Sequence, residues 1–262
     1  NFDFSFNYIY EKRDRSKYRL EVTLVDHLGN LVYERKLVPD KTKKLASHNI
    51  NLRDIDLWSP ETPNLYTANF QLTKNDSVVD EIEKNLALFK FEKSESGFKL
   101  NSEEITFRGV SYIISNENLG SLIGYQKLKE DLEIIRNIGV NSVRFSGDTP
   151  HPFALDICQK LGLFAFIEIP LNSVPSNFTN DNNFKDRAID YIKDLYRAYE
   201  KHKSVLGIGL GSGYIADSNL QSEFISELAE FISSEQKITY ASFIGFPERK
   251  IENIDLYGIE LF

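Results

Sequence analysis

The chain has 262 residues, with 31 Lys and Arg against 39 Asp and Glu, for a net charge of −8. That length suits one or two domains with a full core, and the acidic balance argues against a nucleic-acid groove, which needs clustered Lys and Arg. The lone Cys158 excludes an internal disulfide framework and a Cys-based zinc site. No apolar run reaches the ~20 residues of a membrane span; the longest, 161–167, is closed by Glu168.

Residues 1–93 read as β structure. Phe2, Phe4, Phe6 and Tyr8 alternate with polar partners, the period of two of a half-buried strand. Tyr18–Val25 repeats the pattern. Asp26 to Asn30 supply turn residues before a strand over 31–38, which makes a hairpin. Further strands are predicted over 46–52, 66–73 and 78–86. Many short strands with no helical period predict an immunoglobulin-like β-sandwich.

Near residue 94 the pattern changes, and 94–262 reads as a second domain. A short hairpin, 98–100 with 105–110, turns at Asn101 and Ser102. From Ile105 strands and helices alternate: strands over 105–112, 142–146, 163–169, 205–210, 238–244 and 254–261. Helices are predicted over 125–137, 152–161, 184–201 and 220–233. Leu128, Leu132, Ile135 and Ile138 would face inward on the first, and Phe224, Leu228 and Phe231 on the last. Gly139 and Gly162 end two of the helices. Apolar strands between amphipathic helices mean a parallel sheet covered by helices. A (β/α)8 barrel needs eight strands and a doubly wound sheet is complete with six, so six strands alone do not choose between them.

Four motifs choose. They are Trp58-Ser59-Pro60-Glu61-Thr62-Pro63-Asn64-Leu65-Tyr66; Gly97-Phe98-Lys99-Leu100-Asn101 with Phe107-Arg108-Gly109-Val110; Gly139-Val140-Asn141-Ser142-Val143-Arg144 followed by Glu168-Ile169-Pro170; and His202 to Gly213. In this order the set resembles family 2 glycoside hydrolases, the group of β-galactosidases, β-glucuronidases and β-mannosidases. The resemblance implies a sandwich followed by a TIM (β/α)8-type barrel, of which this chain holds about six strands.

It also implies a chemistry. A retaining glycosidase works with two carboxyl groups ~5–5.5 Å apart, one of them a general acid. The family pattern puts Asn and then the acid Glu at the end of the fourth barrel strand. Those positions are Ser212 and Gly213 here, and the nearest downstream carboxyl is Asp217. The nucleophile ends a seventh strand and falls beyond Phe262. Other polar family positions read Gly147, Ser111, Tyr112 and Gln159, while Arg108, Gly109, Arg144, Gly162, Glu168, Pro170 and Gly211 keep the pattern. No catalytic residue is therefore assigned.

Glu168, at the end of the third barrel strand, reads as a substitute acid or sugar ligand, or as the ion-pair partner of Arg144 or Arg108 at the barrel mouth. The second is preferred. Arg144 is a candidate for a carboxylated sugar or for that ion pair. Glu260, ending the sixth strand, is a candidate to face Glu168 across the mouth. Tyr112, Phe145, Tyr214 and Phe246 are candidates for stacking on sugar. The four histidines show no helical i, i+4 metal spacing, and no metal or cofactor is implied. Gly207, Gly209, Gly211 and Gly213 fit small inward positions in a crowded barrel better than a phosphate loop. Cys158 reads as a buried, inert thiol.

The preferred expectation is a catalytically silent relative that binds carbohydrate or acts as a scaffold. The alternatives are an active β-glycosidase with a relocated acid, and a protein-interaction module. With no Met and no signal-peptide core, the sequence reads as a piece of a longer chain. Six strands would leave two open edges for a further chain or domain to cover. Localisation stays unassigned, with export of polymer-acting relatives pointing to a periplasmic or extracellular site.

Overall fold

The computed structural model describes residues 2–7, 16–38, 45–50, 52, 54–94, 97–114, 123–147, 149–199, 202–232 and 237–261. Of the predicted positions, Tyr8, Lys201, Ser233 and Phe262 lie outside them. The chain divides into two compact units, Asn1–Phe89 and Lys90–Phe262.

Among the described residues the named elements of the first unit are all β-strands. Strands β1 (Phe2–Asn7) and β4 (Leu45–Ile50) form one antiparallel pair. Strands β2 (Tyr18–Val25), β3 (Leu31–Leu37), β5 (Leu65–Lys74) and β6 (Ser77–Ala87) form a sheet in the order β3-β2-β5-β6. The alternation in β2 buries Tyr18, Leu20, Val22 and Leu24 on one face. Asp26 closes the β2–β3 hairpin, its Oδ1 accepting from the backbone N–H of Leu28 at 2.9 Å and of Asn30 at 2.8 Å. Trp58 is fully buried, stacks obliquely on Phe89 at 5.2 Å and donates its backbone N–H to Leu88. The Trp58 motif is thus a packing device.

The second unit opens with a small antiparallel sheet of β7 (Phe91–Ser94), β8 (Gly97–Leu100) and β9 (Glu103–Ile105). A parallel sheet follows: β10 (Gly109–Tyr112), β11 (Ser142–Phe145), β12 (Phe164–Glu168), β13 (Val205–Gly209), a two-residue β14 (Tyr214–Ile215), β15 (Ile238–Ile244) and β16 (Leu256–Glu260). Its order is β10-β11-β12-β13-β15, with β14 and β16 also paired to β15. The predicted strand over 105–112 is divided, because Ile105 pairs back to Phe98 in the small sheet while Gly109 pairs with Ser142. This is a sandwich domain followed by a curled half-barrel of six principal strands.

Helices α1 (Tyr125–Asn137), α2 (Pro152–Leu161), α4 (Asn182–Tyr199) and α5 (Asn219–Ala229) cover the outer face, with a single turn, α3 (Ser176–Thr179), before α4. Two inward expectations fail. Ile138 follows the last turn of α1 and is 63% exposed, and Phe231 lies past the end of α5 under the Lys193 ammonium, 4.4 Å from its ring centre. Alternate strand residues, including Val143, Phe145, Ala165, Ile167, Ala241 and Phe243, pack on the helices in one core with Leu132, Leu155, Ile192 and Phe224. Gly162 caps α2 at φ +74°, a left-handed conformation that favours glycine.

The other set of strand residues faces the concave side. Phe107 packs edge-on against Phe164 and Phe166, and Phe166 against Tyr240. A Cβ at Gly207 would strike the Phe166 ring and one at Gly209 the Tyr240 ring. The glycine string therefore makes room for two interior aromatics. The crossover from β15 to β16, residues 245–255, contains no helix, although parallel strands are usually joined through one.

Candidate active site

The concave face of the half-barrel gathers four polar side chains at its strand ends. Parallel register sets Arg144 of β11 beside Phe166 of β12 and brings Glu168 to the same end. Glu168 Oε2 accepts from Arg144 Nε at 2.8 Å and from Arg144 NH2 at 2.6 Å. The Ser212 and Tyr240 hydroxyls act on this carboxylate from nearby, and the Tyr240 hydroxyl donates to the Ile167 carbonyl at 3.2 Å. Glu168 is 1% exposed. Burial pushes its carboxyl above the ordinary range, against the pull of Arg144, Ser212 and Tyr240. Arg144 stays charged, raised by the same partner, and its guanidinium lies 6.0 Å from the Tyr240 ring centre. Arg144, not Arg108, is the partner of Glu168.

After β13 ends at Gly209 the chain rejoins the sheet at β14. Gly209 faces Tyr240 and Tyr214 faces Phe243, so residues 210–213 bulge against the shorter stretch 241–242. Three elements hold this bulge. Ser212 donates its N–H to Leu171 at 2.9 Å and accepts from the N–H of Ser173 at 2.9 Å. Gly211 accepts from the N–H of Ser242 at 3.1 Å. Gly213 donates its N–H to Glu260 Oε1 of β16 at 2.8 Å.

Gly213 has φ +70°, where a side chain is strained. A Cβ there would also strike Ser173 Oγ and come within 3.0 Å of the Ser173 nitrogen and 3.2 Å of Asn172 Oδ1. Ser173 Oγ is itself held by Asn172 Oδ1 at 2.7 Å. The loop after β12 thus fills the space into which a side chain at position 213 would project.

Arg144, Glu168, Ser212, Gly213 and Glu260 are brought together. Tyr112 and Tyr214 are not among them. Tyr112 points outward, donating to Asp131 Oδ2 at 2.8 Å, with its hydroxyl proton held more tightly by burial and that carboxylate. Tyr214 is fully buried against Phe243 and donates to the Leu210 carbonyl at 2.7 Å. Phe145 is buried in the helix-facing core, whereas Phe246 is 73% exposed after β15. The period of two that makes a strand also decides this: each tyrosine has the parity of the outer face. Tyr240, Ser242 and Ser173 were not singled out from sequence. The parity of β15 carries the signal for Tyr240 and Ser242; nothing local marks Ser173. Cys158 is fully buried, and burial pushes its thiol far up, away from the thiolate that a nucleophile needs. Among the described residues no helix is long and apolar enough to cross a membrane.

The comparisons agree with this architecture. The family model described as glycosyl hydrolases family 2 matches residues 3–88, and that described as glycosyl hydrolases family 2, TIM barrel domain, matches 91–234. A protein named putative beta-glucuronidase from Formosa agariphila is 26% identical over 202 residues, 76% of this chain and 24% of that protein. A beta-galactosidase from Kluyveromyces lactis is 27% identical over 195 residues, 72% of this chain and 19% of that protein. The chain therefore spans about a quarter or less of these relatives. Among solved structures, a beta-glucuronidase from Parabacteroides merdae superposes with TM-score 0.78 at 19% identity, covering 99% of this chain and 33% of its own. Sandwich and half-barrel order, motifs and models agree, and the chain belongs to glycosyl hydrolase family 2.

Proposed function

We propose that this chain forms the sandwich, bounded near residue 93, and the first six barrel strands of a family 2 protein that binds carbohydrate at the barrel mouth without cleaving it. The carrying observation is Gly213. Its backbone conformation, the Ser173 side chain in its Cβ space and the Glu260 carboxylate on its N–H are all arranged around a residue with no proton to give. Losing a general acid removes about 10²–10⁴-fold in rate. The two nearby carboxylates do not replace it: Glu168 is buried and engaged by Arg144, and Glu260 is engaged by Gly213. Arg144 and Glu260, which keep exposed surface, instead suit hydrogen bonding to sugar hydroxyls.

A second reading, an active β-glycosidase, is favoured by the names of the relatives. One experiment separates them. The full protein is assayed with aryl β-glucuronides and β-galactosides, and its binding to the matching sugars is measured by calorimetry. Binding without turnover supports a silent module. Turnover that Glu168→Gln or Glu260→Gln abolishes overturns it, and neither binding nor turnover leaves a scaffold role. The edges of β10 and β16 that carry no strand partner among the described residues are, in the same proposal, covered by further βα units of the same protein or of a partner.

A further inference from the structure

A second concavity lies beside α5, and its lining includes none of Arg144, Glu168, Ser212, Gly213 and Glu260. The helix-free crossover 245–255 leaves a cavity of about 530 Å³ between itself and α5, within the size range of small-molecule sites. One wall is a single face of α5, with Asn219, Ser222, Glu223 and Ser226 at helical spacing. The other is the crossover itself, residues 248–252.

Ala216 and Ile251 are the only apolar lining residues, so the cavity does not suit an apolar ligand. Asp217, Glu223, Glu248 and Glu252 bring acceptors, and Arg249 and Lys250 bring donors. Among the described residues none of these six forms a salt bridge with another. Donors and acceptors lie interleaved around one space. Vicinal hydroxyls, each both donor and acceptor, match such a lining; an anion meets four carboxylates, and a simple cation meets two positive side chains.

We infer that this flank cavity is a second carbohydrate site, taking a neutral oligosaccharide independently of the mouth. A silent barrel and an active one would both be compatible with it.

The test uses the full protein and calorimetry with lactose and cellotetraose as neutral probes and spermidine as a cationic one. A neutral sugar should bind, and Glu223→Ala and Arg249→Ala should each weaken it about tenfold, the loss of one charged hydrogen bond apiece. Glu248→Gln should weaken it less, and Arg144→Met should leave this component in place. Equal thermal midpoints for the flank variants exclude unfolding as the cause. The inference is overturned if no neutral sugar binds, if the flank variants leave sugar binding unchanged, or if they change spermidine binding alone. Loss of all sugar binding in Arg144→Met, with intact binding in the flank variants, would leave the mouth reading standing and this one not.

Discussion

The backbone N–H of Gly213 donates to the Glu260 carboxylate at 2.8 Å. A side chain from the sixth barrel strand thereby fixes the residue that, in the reading proposed above, stands at the family's proton-donor position. In that reading the site is built around a glycine there, and several outcomes follow from this.

Restoring the carboxyl alone should not restore chemistry. Gly213→Glu must place a side chain at φ +70° into the space of Ser173. Turnover of aryl β-glycosides by Gly213→Glu is expected to stay at background. Gly213→Ala is expected to destabilise the protein by about 1–3 kcal/mol in urea unfolding. An unchanged midpoint would contradict the strain argued here.

The Arg144–Glu168 pair should be costly to break and cheap to replace. Arg144→Met leaves a buried carboxylate without its cation, an expected loss of about 3–5 kcal/mol. Arg144→Met combined with Glu168→Leu should lose much less. A double-mutant cycle with no coupling between the two positions would count against the pair.

The same carboxyl sets a pH dependence. Its folded value lies above the ordinary 4.5 because of burial. Protonated Glu168 therefore favours the folded state: the contribution is complete below 4.5 and is lost as pH rises through the folded value. Arg144 pulls that value down, so in Arg144→Met the carboxyl should titrate at still higher pH. Infrared titration of the carboxyl band reads this directly, and a downward movement would refute the assignment.

Gly207 and Gly209 should tolerate no methyl group. Gly207→Ala meets the Phe166 ring and Gly209→Ala the Tyr240 ring, with an expected cost of about 1–3 kcal/mol each from overpacking. Phe166→Leu should relieve the first and not the second, as measured by thermal unfolding.

Tyr112 provides a contrasting case. Tyr112→Phe removes a hydrogen bond to Asp131 and should cost about 1 kcal/mol, with sugar binding unchanged. Weaker sugar binding in this variant would return Tyr112 to the mouth.

Much of the fold was legible in the sequence because it rests on local periodicity. The alternation in Tyr18–Val25 and the helical spacing of Ala188, Ile192 and Leu195 mark buried faces without any tertiary information. The identities of Ser212 and Gly213 were likewise legible from motif order. The hand that holds them was not. Glu260 and Ser173 reach Gly213 across strand order and through a loop whose backbone turns at Ser173 to φ +51°, and no spacing in one dimension encodes such a meeting. Tyr112 and Tyr214 failed as mouth residues for a simpler reason: a shift of one residue along a strand moves a side chain to the opposite face.

The helix-free crossover also shapes how the protein opens. β13 is buried along its whole length, while β16 is half-buried, is paired only with β15 among the described residues, and has no helix at its entry. Amide exchange should therefore be slower in β13 than in β16, because strands with few buried contacts open by local fluctuation. Glu260 sits on the faster of the two. Each opening of β16 releases the Gly213 N–H, and a sugar that bridges the two would register as slowed exchange in β16.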